Sequence, residues 1–224
     1  MNTDFQTARH NMVEYQIRCC KVLNPDLLDM LETMPREEYV PEEVRSLAYM
    51  EGRVPLPCDQ EMLSPLQEAG ILQNLQLSGD ERVLEIGTGT GYLTMLLAMR
   101  THEVVSCEIH KQLADLAVQN LEAHGVTNAG VVHVNAMQAD DLLTLPEMKK
   151  AFDVIVLGAA LKEIPDHIQG LLAKQGQMIA FIGQNPVLSL VHMKRISKTW
   201  QKTAIFETLL QDMEGLPEKR EFIF

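Results

Sequence analysis

The run Val83-Leu84-Glu85-Ile86-Gly87-Thr88-Gly89-Thr90-Gly91-Tyr92 joins a short apolar strand to a helix through a glycine-rich turn. Glycines let a backbone turn sharply and come close to a ligand. The helix start then offers free N–H groups and a positive dipole end. Glu108 lies 17 residues after Gly91, at the end of the next strand-like run. A carboxylate there can accept both hydroxyl hydrogens of a ribose. A dinucleotide turn reads G-x-G-x-x-G, whereas this one reads G-x-G-x-G and puts Tyr92 where the last glycine would fall. Glu85, two residues before Gly87, would oppose a pyrophosphate but suits a cationic ligand. S-adenosylmethionine carries an ammonium and a sulfonium and no phosphate, so it fits better than NAD. Glu85, Gly87, Thr88, Gly89, Gly91, Tyr92 and Glu108 are the cofactor candidates.

The elements that must hold these residues fall into two regimes. Residues 1–78 read as helices and loops, and residues 79–224 as a cofactor-binding domain. In the first, Met12, Val13, Gln16, Ile17 and Cys20 share a helical face, and Asn24-Pro25 starts a helix that Pro35 ends. Residues 53–66, with Pro55, Pro57 and Pro65, read as a loop arranged over something rather than as a packed element. In the second, strands are predicted at 82–86, 103–109, 130–134, 152–157 and 177–182. Helices lie between them, the last running from Pro165 to a stop at Gly176. Such alternation implies a mostly parallel α/β sheet. The tail from Val187 to Phe224 reads as antiparallel edge strands around Trp200 and Phe222-Ile223-Phe224.

Composition narrows the function classes. The chain has 224 residues, with 19 Lys and Arg against 31 Asp and Glu, for a net charge of −12. That balance disfavours nucleic acid and anionic lipid as partners. No apolar run is long enough for a membrane span, and the N-terminus lacks the apolar core of a signal peptide. The expected location is the cytoplasm, with reduced thiols at Cys19, Cys20, Cys58 and Cys107. Neither these nor the scattered histidines have metal-ligand spacing.

Further motifs resemble the protein-L-isoaspartate O-methyltransferase family over residues 9–185. They are Asn11-Met12-Val13 with Gln16-Ile17, Pro35-Arg36-Glu37 with Val40-Pro41, Ala48-Tyr49, Leu56-Pro57, the cofactor run itself, Phe152-Asp153, Ala159-Ala160 and Ile164-Pro165. The resemblance implies a class I, Rossmann-like S-adenosylmethionine-dependent methyltransferase with an N-terminal helical extension. It also implies a reaction: methyl transfer to the free α-carboxylate of an isoaspartyl residue in a damaged protein or peptide. That carboxylate is ionised at pH 7, so no general base is needed. The site must align oxygen, methyl and sulfur and exclude water.

The chain departs from the family pattern at three places. With Pro65 as anchor, Glu61 and Leu63 stand where the family has a threonine and a serine, and Ser64 is the nearby hydroxyl. An inward Glu61 would repel an anionic acceptor by roughly 4 kcal/mol at an effective dielectric of 20. Gln60 and Ser64 are left as the local hydrogen-bonding groups for catalysis. After the third cofactor strand, Asn135-Ala136-Met137 replaces a Gly-Asp-Gly, so Asn135 and Ala136 take the adenine side. The third departure is Phe206-Glu207-Thr208, in place of the family's last strand motif. Two functions stay open: isoaspartyl repair, and a relative that keeps the cofactor with a changed acceptor or as a non-catalytic binding module. Arg36 with Glu37 reads as a surface or capping pair, and Tyr49 as packing beneath the loop.

Overall fold

In the computed structural model, residues 2–196 and 199–217 are described. Helix α1 (Asn2–Asn11) widens into a π-helical turn over Met12–Ile17 and tightens again over Arg18–Cys20. Met12, Val13 and Ile17 are buried, as the spacing predicts. Cys20 instead faces solvent, because the widened turn shifts the face that follows it. Helix α2 (Pro25–Thr33) starts as expected: Asn24 Oδ1 accepts from the Leu27 N–H at 3.2 Å, and Pro25 fills the first turn.

Residues 53–66 form more than a loop. Strands β1 (Val54–Leu56) and β2 (Gln60–Met62) make an antiparallel hairpin, with Pro55 opposite Glu61. The prolines hid it from a sequence reading. Pro55 is exposed on a two-stranded ribbon while Val54 and Leu56 point inward, and an edge position tolerates the missing N–H. Pro65 opens helix α3 (Pro65–Asn74).

The rest alternates as predicted: β3 (Arg82–Ile86), α4 (Tyr92–Ala98), β4 (Glu103–Glu108), α5 (Lys111–Ala123), β5 (Ala129–His133), α6 (Ala139–Leu142), β6 (Phe152–Leu161) and α7 (Asp166–Gly170). Then β7 (Leu172–Gln184), β8 (Val187–Ile196) and β9 (Thr199–Thr208) follow directly on one another. Gly176 does not stop the helix. It lies inside β7, where an added Cβ would sit 2.9 Å from the Asp153 carbonyl oxygen, so the close approach of β6 requires glycine. The sheet order is β5-β4-β3-β6-β7-β8-β9; the first five strands are parallel and the last two antiparallel. The tail reading therefore holds through Thr208, and Phe222-Ile223-Phe224 lie outside the described residues. No described helix is long and apolar enough to cross a membrane.

Strand β6 is apolar on both faces. Val154 and Val156 join a cluster with residues of α2, α3 and α4, while Ile155 and Leu157 join a second cluster with Leu84, Val105 and Met178. Burial on both faces is what a central parallel strand requires. Chain order reverses between β3 and β6, and in open α/β sheets that reversal leaves a ligand crevice at the strands' C-terminal ends. After β9 the chain crosses this crevice as a strap over residues 209–217. It is tied to β6 by Ala160 N–H to Gln211 O at 2.9 Å and Met213 N–H to Ala160 O at 2.8 Å.

Candidate active site

The glycine turn lies at the mouth of the crevice. Gly87, Gly89 and Gly91 all adopt positive φ, at 96°, 58° and 87°. At Gly91 the constraint is double, because an added Cβ would also meet Ala117 Cβ at 3.3 Å. Only glycine takes that dihedral without strain and lets α4 pack on α5. Glu108, at the end of β4, is 4% exposed. Its Oε2 accepts from Gly89 N–H at 2.8 Å and its Oε1 from His110 N–H at 3.0 Å. The carboxylate is thereby held in one orientation with lone pairs to spare for a ligand.

Glu85 is placed differently from the sequence argument. It is fully buried beneath the turn, and its Oε2 accepts from Thr94 Oγ1 and, at 2.7 Å, from Ser106 Oγ. Thr88 Oγ1 lies 2.6 Å from Ser106 Oγ. Since Ser106 gives its proton to Glu85, Thr88 donates to Ser106. A chain of hydroxyls thus runs from the glycine turn to Glu85. Burial pushes the Glu85 carboxyl up to about 7, with the Thr94 and Ser106 hydrogen bonds pulling the other way. Glu85 and Thr88 support the turn from below. Tyr92 is also buried, with its ring edge-on to Tyr39 at 5.3 Å.

Arg36 and Glu37 are not surface residues. Arg36 is fully buried, pairs with Glu68, and donates to the carbonyls of Ala48 at 2.8 Å and Leu63 at 2.5 Å. Its guanidinium lies 5.0 Å from the centroid of the Tyr92 ring. Glu37 takes Arg9 Nη2 at 2.9 Å and the Tyr49 hydroxyl. The sequence gives no local sign of the Arg36 pair, since Glu68 is 32 residues away. These contacts fix both ends of the segment that carries the β1–β2 hairpin.

On that hairpin, Glu61 pairs with Arg53 Nη1 at 2.5 Å, so its charge is compensated. Ser64 is engaged in a capping box: its Oγ accepts from Gln67 N–H at 3.3 Å, and Gln67 Oε1 accepts from Ser64 N–H at 2.8 Å. Gln60 points toward the crevice and donates to Glu214 Oε1 at 2.7 Å. Across the crevice, Asn135 Oδ1 accepts from Met137 N–H at 3.0 Å, and Asn135 Nδ2 donates to the Gly215 carbonyl at 3.1 Å.

A cavity of about 80 Å³ lies among these groups. Of the predicted site residues it brings together Gln60, Gly87, Gly89, Glu108, Asn135 and Ala136. Glu85, Thr88, Gly91, Tyr92 and Ser64 stand behind its wall. Gly158 and the strap residues Leu210–Glu214 also line it and were not anticipated. For Gly158 a signal existed: a glycine directly after the apolar run 152–157, and in the structure it lies within β6, where an added Cβ would sit 3.1 Å from the Gly87 carbonyl oxygen. Glu61, Glu108, Asp212 and Glu214 put carboxylates on the described lining, which holds no Lys, Arg or His. That donor set suits a cationic ligand with sugar hydroxyls and opposes a phosphate. Cys107, also on the wall, has its thiol pushed up to about 12 by burial, so it stays protonated and inert.

The profile of the protein-L-isoaspartate(D-aspartate) O-methyltransferase family matches residues 7–210. A protein-L-isoaspartate O-methyltransferase of Koribacter versatilis is 31% identical over 91% of this chain and 89% of its own length. That of Methanoculleus marisnigri is 35% identical over 83% of this chain and 81% of its own. A crystal structure described as a putative protein-L-isoaspartate O-methyltransferase from Plasmodium falciparum, in complex with S-adenosyl-L-homocysteine, aligns with a TM-score of 0.76. It is 20% identical and covers 94% of this chain and 98% of that one. The glycine turn, the Glu108 carboxylate and the clamped hairpin thus sit in a chain whose matched length takes in every described strand of the sheet, and that chain belongs to the protein-L-isoaspartate(D-aspartate) O-methyltransferase family.

Proposed function

We propose that the protein transfers a methyl group from S-adenosylmethionine to the free carboxylate of isoaspartyl residues in proteins and peptides. The observation that carries this reading is the Gly89–Glu108 pairing in a crevice whose described lining carries acids and no Lys, Arg or His. Its chemistry suits a ligand with a ribose and positive charge. When bound, the cofactor supplies a methyl on a cationic sulfur. Glu108 holds the ribose hydroxyls, the glycine turn lets the backbone approach, and Asn135 with Ala136 flanks the adenine side. Leu56, Ile109 and Met213 form apolar wall that keeps water from the reacting charges. The acceptor arrives already ionised, so no side chain has to remove a proton. Gln60 orients the acceptor through its amide, and Ser64 acts by holding the hairpin's exit into α3.

The test is methyl transfer from radiolabelled S-adenosylmethionine to an isoaspartyl peptide and to its aspartyl twin. Base-labile label in the isoaspartyl peptide alone is the expected result. Calorimetric binding of the cofactor with no label in either peptide would instead favour the second reading, a relative with a changed acceptor or a non-catalytic binding module. Glu61 and Leu63, at the positions of the family's hydroxyls, are what favour that second reading.

A further inference from the structure

The strap over residues 209–217 is bound on both sides of the crevice it covers. On the hairpin side, Gln60 Nε2 donates to Glu214 Oε1 at 2.7 Å, and Gln211 Nε2 donates to the Asp59 carbonyl at 2.9 Å. His110 Nε2 lies 3.1 Å from Glu214 Oε2, in contact but without hydrogen-bond geometry. On the far side, the Gly215 carbonyl accepts from Asn135 Nδ2 at 3.1 Å and from Gln138 Nε2 at 2.9 Å. Gly215 has φ +77°, and an added Cβ would sit 2.3 Å from Asn135 Oδ1. The strap is therefore pressed onto the residues that border the cofactor site.

The space left beneath it is about 80 Å³. A ligand the size of a nucleoside cofactor needs roughly 300 Å³ or more. The crevice stays partly open to solvent, but the space beneath the strap is narrower than the ligand its walls suit. We propose that the strap is a gate on the cofactor pocket and that Glu214 is its latch, a positioning residue that sets how readily the cofactor exchanges. This rests on the cofactor part of the function proposed above.

Three features support the latch. Glu214 is the strap residue that touches both the substrate hairpin, through Gln60, and the loop after β4, through His110. The bond from Gln60 is charge-assisted, so it is among the stronger ones holding the strap. The hairpin's acceptor-facing amide is also occupied by the same carboxylate. Opening the strap for the cofactor therefore frees Gln60 for the acceptor, which couples the two binding events in that order.

The experiment compares wild type with Glu214→Ala, Gln60→Ala and Gly215→Ala. The readouts are hydrogen–deuterium exchange at the Ala160 and Met213 amides, and stopped-flow association of S-adenosylhomocysteine. Loss of one such bond raises the open fraction, so exchange and association rise roughly five- to tenfold in Glu214→Ala. Gln60→Ala follows it, and Gly215→Ala, which strains the other side, moves the same way. Unchanged exchange in all three overturns the latch. Slower association in Glu214→Ala overturns the gate, since Glu214 would then be a direct contact for the ligand. Faster exchange with no binding to any protein keeps the latch and sinks the cofactor reading on which the gate rests.

Discussion

Replacing Glu85 by Gln tests the buried acid beneath the glycine turn. The Glu85 carboxyl lies at about 7 in the folded protein against an ordinary 4.5, chiefly because burial penalises the charge. Between those two values the folded state binds the proton and the unfolded state does not. Stability therefore falls as pH rises through this window. A difference of about 2.5 units at 1.36 kcal/mol each makes the ionised form roughly 3 kcal/mol less favourable to the fold. Gln has nearly the shape of the protonated acid and carries no charge at any pH. Its amide oxygen can take the Thr94 and Ser106 hydroxyls, while its NH₂ replaces the oxygen that has no partner among the described residues. That exchange costs about 1–3 kcal/mol at every pH, so the test is the slope and not the offset. Urea unfolding of both proteins at pH 5, 6.5 and 8, followed by the fluorescence of the single tryptophan, Trp200, gives the comparison. The stability of Glu85→Gln relative to wild type should rise by about 2–3 kcal/mol from pH 5 to pH 8, since pH 5 already lies above the unfolded value. A flat difference across that range would refute the reasoning.

Removing one partner of the buried Arg36–Glu68 pair, as in Arg36→Met, strands a carboxylate and should destabilise the fold by about 3–5 kcal/mol in the same urea assay, with much of it restored by adding Glu68→Leu. Ser64→Ala should cost about 1 kcal/mol of stability by losing the helix cap; its methylation rate below the melting transition should stay near wild type, and a loss above a hundredfold would put the hydroxyl in the chemistry. Glu61→Gln releases Arg53, so KM for an isoaspartyl peptide should fall roughly threefold with kcat unchanged, in line with a partly exposed ion pair of about 0.6 kcal/mol; a raised KM would mean that Glu61 itself holds the acceptor.

The legible parts of the fold were those written in local pattern. The glycine run, the acid at the end of the next strand (Glu108) and the alternation of apolar strands with helices depend on neighbours within a few residues, and β3, α4 and β4 follow from them. Three-residue strands carry too few positions for a period of two to show, which is why β1 and β2 read as a proline-rich loop. Gly176 resembles a helix stop because glycine serves both purposes; only the position of β6 distinguishes them. Glu85 was read as facing a cation because its spacing gave depth in sequence but no direction, and the side chain turns under the sheet to meet Ser106. The strap left no trace at all. It is held by side chains reaching backbone carbonyls from as far as 152 positions away, as Gln211 does to Asp59, and such contacts have no periodicity.

The Arg36 knot has a practical consequence. Its guanidinium grips the chain at Ala48 and again at Leu63, with the hairpin between. Whatever is written into the intervening residues, both exits are anchored by a cation whose own counter-charge sits on α3. Length changes in such a closed segment are thermodynamically mild, since loop entropy grows only slowly with size. The segment is thus an exchangeable cassette. Relatives' sequences grafted over residues 50–63 should be accepted by this scaffold, since Arg36 holds residue 63 by its backbone carbonyl, and a graft that restores the two hydroxyls at positions 61 and 63 offers a direct route to re-tuning its choice of acceptor.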